Sequence, residues 1–220
     1  VDAYMYDNDQ FLIVFAAGNE GADGYYSTGD PACSKNALTV GASLNSPNYK
    51  DIAWFSSIGP TFDERIKPDI VAPGAYIFSA RSYDNIDSCE TTGMAGTSMA
   101  APGISGMAAQ VRQYFEESTF WATTCAAAGA AFIRNSSLCL GGAFSPRGAT
   151  VKAIIIHSGE AMNRYFGDEY TTEPLANLNG TPDNYQGFGR ATLPNVLPLA
   201  GIETTNELYI EEDMLLSNHE

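Results

Sequence analysis

The chain is short of the residue most often used for proton transfer. Among 220 residues there are two histidines, His157 and His219. Basic residues are also scarce, eleven lysines and arginines against 26 aspartates and glutamates, for a formal charge of −15. A surface of that sign repels phosphate backbones and anionic headgroups, so nucleic acid and acidic membrane are disfavoured as partners. The acidity reads as a solvated surface, with structural Ca²⁺ the one metal left open; no cofactor is required. No apolar run can span a bilayer: Phe11–Ala17 falls far short of the ~20 residues needed, and threonines interrupt the stretch from Phe120 to Ile133. A signal peptide is missing too, and the first residue is Val1 rather than methionine. A cleavage product is the expectation, from which a targeting segment could have been lost.

Cysteine is sparse as well, with Cys33, Cys89, Cys125 and Cys139. There is no Cys-x-x-Cys and no neighbouring histidine pair, which argues against zinc. Bridging Cys125 to Cys139 would close a loop worth about 3 kcal/mol, leaving Cys33 and Cys89 as a long-range pair. Asn135-Ser136-Ser137 lies within that loop and is an N-glycosylation sequon; Asn179-Gly180-Thr181, followed by Pro182, is a weaker one. An even cysteine count with sequons favours a secreted or lysosomal (endomembrane lumen) protein with disulfides, buried free thiols being the alternative.

The apolar content of 45% and the length suit one domain with a substantial core. The spacing of Val1, Tyr4 and Met5 predicts the tail of a helix. Phe11–Ala17 reads as a strand buried on both faces, as in a parallel sheet. It ends in the turn Gly18-Asn19-Glu20-Gly21, and in open α/β sheets ligands gather at such strand ends. Strands are expected at Ala37–Ala42, Asp69–Gly74 and Tyr76–Ala80. A helix from Ser98 to about Glu117 carries the stripe Ile104, Met107, Ala108, Val111, Phe115 at 3.6-residue spacing. A second helix, Thr150–Ser158, buries Val151, Ile154 and Ile155. Glu160–Pro198 reads as turns, with Gly187-Phe188-Gly189 a close backbone approach. Residues 1–200 form one domain part; 201–220, with the apolar Glu207-Leu208-Tyr209-Ile210, read as a linker and the first strand of a following β domain.

The most informative stretch is Gly96-Thr97-Ser98-Met99-Ala100-Ala101-Pro102. A serine among small residues at a helix N-terminus has an exposed hydroxyl, an oriented backbone N–H and a positive helix end behind it. Those features suit attack on a carbonyl and stabilisation of the resulting oxyanion. Pro102 cannot donate to the carbonyl four residues back, which is Ser98's own. Gly93, Gly96 and Gly103 are expected to allow close packing around the serine. Asp69 reads as structural, and His157, one position off its helix's apolar stripe, as a surface or capping residue.

This heptapeptide resembles the nucleophile motif of the subtilases, the subtilisin-like serine peptidases. Ala16-Ala17-Gly18-Asn19-Glu20-Gly21 resembles their oxyanion-asparagine motif. Phe55-Ser56-Ser57-Ile58-Gly59-Pro60, Lys67-Pro68-Asp69-Ile70-Val71-Ala72-Pro73-Gly74, Lys35–Ala42 and Gly187–Arg190 extend the likeness from Val1 to about Pro198. The resemblance implies an α/β fold, a mainly parallel sheet flanked by helices, present as its C-terminal half. It implies Ser98 as the nucleophile that forms an acyl-enzyme, Asn19 as the side-chain oxyanion donor, and Ala17, Gly18 and Gly29 as lining for the residue before the scissile bond. The family order is Asp, His, Ser, and neither the Asp-Ser/Thr-Gly nor the His-Gly-Thr motif is present. The resemblance therefore implies a serine endopeptidase acting on polypeptides, whose base and orienting aspartate come from an N-terminal half as partner. An inactive subtilase-fold scaffold for binding or assembly is the alternative.

Overall fold

In the computed structural model the described residues are 1–82, 89–117, 144–166 and 174–197. A short helix α1 (Asp2–Asp7) leads to strands β1 (Val14–Ala16), β2 (Leu38–Ser43), β3 (Asp51–Ile52) and β4 (Ile70–Pro73). A hairpin follows, β5 (Ile77–Ala80) with β6 (Thr91–Met94), then helices α2 (Thr97–Glu116) and α3 (Gly148–His157). The two-residue strands β7 (Arg164–Tyr165) and β8 (Ala176–Asn177) come last. The C-terminal strand expected near Glu207–Ile210 lies outside the described residues.

Strand β2 is the centre of the sheet. It pairs in parallel with β1, Phe15 opposite Thr39, and with β4, Gly41 opposite Val71. All its residues are buried, as expected for a strand covered on both faces. Beyond Ser43 the sheet continues through β3, β7 and β8, of which only the β3–β7 pairing is parallel.

The strand expected over Phe11–Ala17 is shorter than its composition implies. Only Val14–Ala16 pairs, and all three residues are half-buried. The reason is topological: among the described residues β1 bonds to β2 alone. One side of its backbone faces no strand. Phe11, at its entry, stays 50% exposed and packs edge-on against Tyr4.

One face of the sheet carries Leu38, Val40, Ala42, Ile70 and Ala72, which merge with residues of both longer helices into the main core. The stripe read from the α2 sequence supplies Ile104, Ala108, Val111 and Phe115, with Met107 partly buried. Each large side chain so buried contributes roughly 1.5–3 kcal/mol. That burial outweighs the cost of Pro102, Gly103 and Gly106 within the helix. On the other face Val71 joins Ile52, Ile58, Met162 and Tyr165 in a smaller cluster. The Tyr165 hydroxyl lies 3.0 Å from both the Gly21 and the Trp54 carbonyl oxygens, so it anchors the turn after β1.

The close approach read from Gly187-Phe188-Gly189 is present. Gly187 has φ +57°, and a Cβ there would lie 2.2 Å from the Pro68 carbonyl oxygen. Only glycine fits this crossing. Phe188 N–H donates to Asp69 O and Val71 N–H to Gly189 O, which ties this segment to the start of β4.

Asp69 is structural, as its sequence context implies. Its carboxylate accepts from Thr39 N–H at 2.7 Å and from the Lys67 ammonium at 2.7 Å, with the Lys152 ammonium at 3.4 Å. The Lys67 side chain is only 2% exposed. Burial pushes the Lys67 pKa below the usual lysine range, against the pull of the adjacent carboxylate. Asp69→Asn removes the counter-charge from both ammoniums. A loss of about 3–5 kcal/mol follows, read as a lower urea midpoint at unchanged slope.

Cys33 and Cys89 do not form the expected long-range disulfide; both are free thiols. Cys33 sits in the turn before β2, where its thiol donates to Thr28 O at 2.9 Å, whereas Cys89 is exposed at the start of β6. Cys125, Cys139 and the Asn135 sequon lie outside the described residues; Asn179 is exposed.

Candidate active site

The parallel ladder runs one residue past β1, where Ala17 N–H donates to Val40 O. The chain then leaves the sheet through Gly18-Asn19-Glu20-Gly21, at the C-terminal end of β1. The helix α2 starts beside this turn, because Gly96 N–H donates to Gly74 O and fixes the approach to Thr97. Strand end and helix N-terminus are thereby brought together from positions some eighty residues apart.

Thr97 is the clamp between them. It is fully buried, and its backbone N–H donates to Asn19 Oδ1 at 2.9 Å. Its hydroxyl accepts from Gly18 N–H at 3.2 Å and lies within donating distance of Asn19 Oδ1 and Gly18 O. From the other side Ser57, also fully buried, holds the same turn. Ser57 N–H donates to Gly18 O, Glu20 N–H donates to Ser57 Oγ, and Ser57 Oγ donates to Glu20 Oε2 at 3.1 Å. Gly18 has φ +115°, and a Cβ would lie 2.6 Å from Ser57 Oγ, so a side chain here would displace the turn.

This clamping decides what Asn19 can do. With Oδ1 committed to Thr97, the amide is oriented, and Nδ2 has no acceptor among the described residues. Asn19 is exposed. Its free donor is therefore presented to solvent at the head of α2. Ser98 is the second residue of that helix and is exposed too. Its N–H is one of the first-turn donors with no partner inside the helix, and its Oγ has no hydrogen bond among the described residues. A hydroxyl, a free backbone N–H and a free amide share one corner, with the positive helix end behind them. An incoming carbonyl could be attacked by the first and have its oxygen held by the other two.

The structure brings Ser98 and Asn19 together, with Ala17 (1% exposed) and Gly18 next to them in the chain. Gly29 is exposed with open space above its α-carbon, and no hydrogen bond joins it to Ala17 or Gly18 among the described residues. Of the glycines expected to pack around the serine, Gly96 faces the Asn19 amide and Gly93 lies under the Phe78 ring. Gly103 departs from that expectation, since nothing stands within 4 Å of the Cβ position; its place on the helix turns it to open space. His157 is exposed in the last turn of α3 and makes no hydrogen bond to Ser98. His219 lies outside the described residues. Among the described residues, no cluster of three or more His, Cys, Asp or Glu could hold a metal.

Sequence reasoning missed Thr97 and Ser57 as the residues that set the turn. A hydroxyl directly beside Ser98 is a usable signal for Thr97, because a threonine at a helix start needs a partner once buried. Thr97→Val keeps the backbone tether but removes the hydroxyl. If Ser98 and Asn19 act as a nucleophile with its oxyanion donor, about a tenfold fall in kcat at nearly constant KM is expected from steady-state kinetics.

The profile of the subtilase family (Peptidase_S8) matches residues 1–189. Serine protease/ABC transporter B family protein tagD of Dictyostelium discoideum is 32% identical over 177 residues, 74% of this chain and 8% of its own length. Serine protease AprX of Bacillus subtilis is 35% identical over 140 residues, 51% of this chain and 31% of its own length. Among solved structures, sphericase superposes with a TM-score of 0.56 at 24% identity, over 86% of this chain and 50% of its own. This last likeness speaks to the fold. The chain thus spans half of that neighbour and under a third of these relatives. With the family profile matched over most of its length, the chain belongs to the subtilase family.

Proposed function

We propose that this chain supplies the nucleophile and oxyanion half of a serine endopeptidase, and that the base and its orienting aspartate come from a segment outside these 220 residues. The observation that carries the reading is the Asn19 amide, fixed by Thr97 with its donor left free beside Ser98. A scaffold has no use for an oriented, unpartnered donor. In the reaction Ser98 Oγ attacks the scissile carbonyl of a polypeptide and loses its proton to the supplied histidine. Asn19 Nδ2 and Ser98 N–H hold the oxyanion of the tetrahedral intermediate. The proton then passes to the leaving amine, the acyl-enzyme forms, and water releases it.

Two observations support a base from outside. Neither the exposed His157 nor any other described group hydrogen-bonds Ser98 Oγ. The open side of β1 is also where further sheet could pair. Ala17, Gly18 and Gly29 are the proposed lining for the residue before the scissile bond (P1). A secretory or lysosomal setting is proposed on the sequons alone, since the free Cys33 and Cys89 lend it no support; among the described residues no helix is long and apolar enough to cross a membrane.

The test is complementation. The 220-residue chain is mixed with a separately produced upstream segment carrying the family's Asp and His motifs, and cleavage of an unstructured polypeptide is followed. Cleavage by the mixture, and by neither part alone, is the expected outcome. No cleavage by a mixture shown to associate would leave the scaffold reading in its place.

A further inference from the structure

Lys67, Asp69 and Lys152 form a buried charged group that the acyl-transfer chemistry leaves unused. The oxygens they gather come from one short stretch. Lys67 Nζ donates to Ala37 O at 3.1 Å and Thr39 Oγ1 at 2.9 Å as well as to Asp69. Lys152 reaches across from α3 and donates to Lys35 O at 3.2 Å and Ala37 O at 2.8 Å. Two ammoniums, from different elements, therefore fix successive carbonyls of the turn that enters β2.

The same group reaches back toward Gly29. Thr39 Oγ1 accepts from Lys67, and its hydroxyl donates to Ala32 O at 2.6 Å. Next to Ala32, Cys33 N–H donates to Gly29 O at 3.2 Å, and its thiol donates to Thr28 O. A continuous path of hydrogen bonds and one peptide link runs from the Lys67 ammonium to the backbone of Gly29. At Gly29 itself the Cβ direction is open, while the preceding Ser27 and Thr28 N–H groups are held separately by Ile58 O. Charge-assisted bonds to a desolvated ammonium are the strong kind, and the low surrounding dielectric makes their loss costly.

We propose that Lys67 and Lys152 are positioning residues that hold the Gly29 wall of the P1 pocket, and so set which substrate side chains are accepted before the scissile bond. The proposal rests on the reading of Gly29 as pocket lining. Large P1 side chains press on this wall and small ones do not, so the clamp selects by size. Cys33 is a built-in reporter, half-buried within the same path, and burial pushes its thiol pKa up, which lowers its thiolate fraction.

The experiment uses Lys67→Met and the milder Lys152→Met, whose side chain is 17% exposed. In the complex of this chain with the segment that supplies the base, iodoacetamide labelling is followed at Cys33 and Cys89 by peptide mass. In the full-length enzyme, kcat/KM is compared for peptides with large and small P1 residues, together with the reaction of Ser98 with a small fluorophosphonate. About a tenfold rise in labelling at Cys33 with Cys89 unchanged is expected. The large-to-small P1 ratio should shift about tenfold, while the small reagent's rate at Ser98 holds. A folded variant with unchanged Cys33 labelling would overturn the clamp. Faster Cys33 labelling with an unchanged P1 ratio would overturn its role in specificity, as would P1 rates and Ser98 labelling falling together. If wild-type Ser98 proves inert, the proposed function fails, and the Cys33 arm still decides whether the clamp exists.

Discussion

On the proposed function, Ser98→Ala is expected to abolish peptide-bond cleavage by the chain joined to the segment that supplies the base. The expected loss is about 10⁶ in kcat, a magnitude borrowed from subtilisin, which belongs to the same family. Stability should barely move. Ser98 is exposed and its Oγ has no partner among the described residues, so truncation leaves no buried group unsatisfied and costs at most about 0.5 kcal/mol. Alanine also keeps the Ser98 backbone N–H and the Thr97 tether to Asn19. The variant therefore retains its oxyanion donors and should still bind substrate with an ordinary KM. A residual rate some 10³–10⁴ above water is the signature of that intact hole. A denaturation midpoint that fell with the activity would instead make Ser98 a structural helix-start residue.

The second large effect is at Asn19, and the geometry makes the choice of replacement matter. Removing the side chain deletes two things at once, the free Nδ2 donor and the acceptor for Thr97 N–H. The first loss costs about 10²–10³ in kcat, again on the scale known from subtilisin's own asparagine. The second leaves a buried N–H unpaired, at roughly 1–3 kcal/mol of stability. Asn19→Asp separates them, because it keeps an oxygen for Thr97 and replaces the donor with a second oxygen. It should fold with nearly the wild-type urea midpoint yet lose at least as much kcat as Asn19→Ala. KM should change little in either variant, since the donors act on charge that develops only after attack. Wild-type kcat in Asn19→Asp would mean that Nδ2 does not face the oxyanion.

Much of this architecture is legible in the sequence, and the reason differs by element. The α2 stripe and the three parallel strands are marked by apolar spacing and by Pro and Gly at their ends. Those are local signals, and tertiary packing here agrees with them. Strand β1 was overextended because Phe11–Ile13 have the composition of a buried strand, and composition does not say which neighbours pair. Among the described residues it is β2 alone that bonds to β1. The cysteine count leaves a Cys33–Cys89 bridge and free thiols both open, since parity carries no geometry, and the structure has the thiols free.

The candidate site divides in the same way. Ser98 and Asn19 are carried by dense motifs, and the structure brings them together. The residues that orient Asn19 are harder to see. Thr97 and Ser57 act through backbone atoms and hydroxyls that converge from far apart in sequence, and nothing in their local spacing reveals the convergence. Lys67 is the extreme case: a lysine in a short polar run looks solvated, yet its side chain is 2% exposed against Asp69. Its ammonium is enclosed by Asp69 and by Ala37 O and Thr39 Oγ1, the last two about thirty residues away, where local spacing does not reveal them.

The central claim is that a competent nucleophile with its oxyanion hole resides in this chain while the base does not. Reaction with a fluorophosphonate, with adduct mass and modified peptide both determined, tests it most directly. In the isolated 220-residue chain Ser98 should react no faster than an ordinary serine; in the full-length enzyme it should be modified rapidly and alone. Rapid modification of Ser98 in the isolated chain would contradict the claim, because a base would then have to lie within these residues.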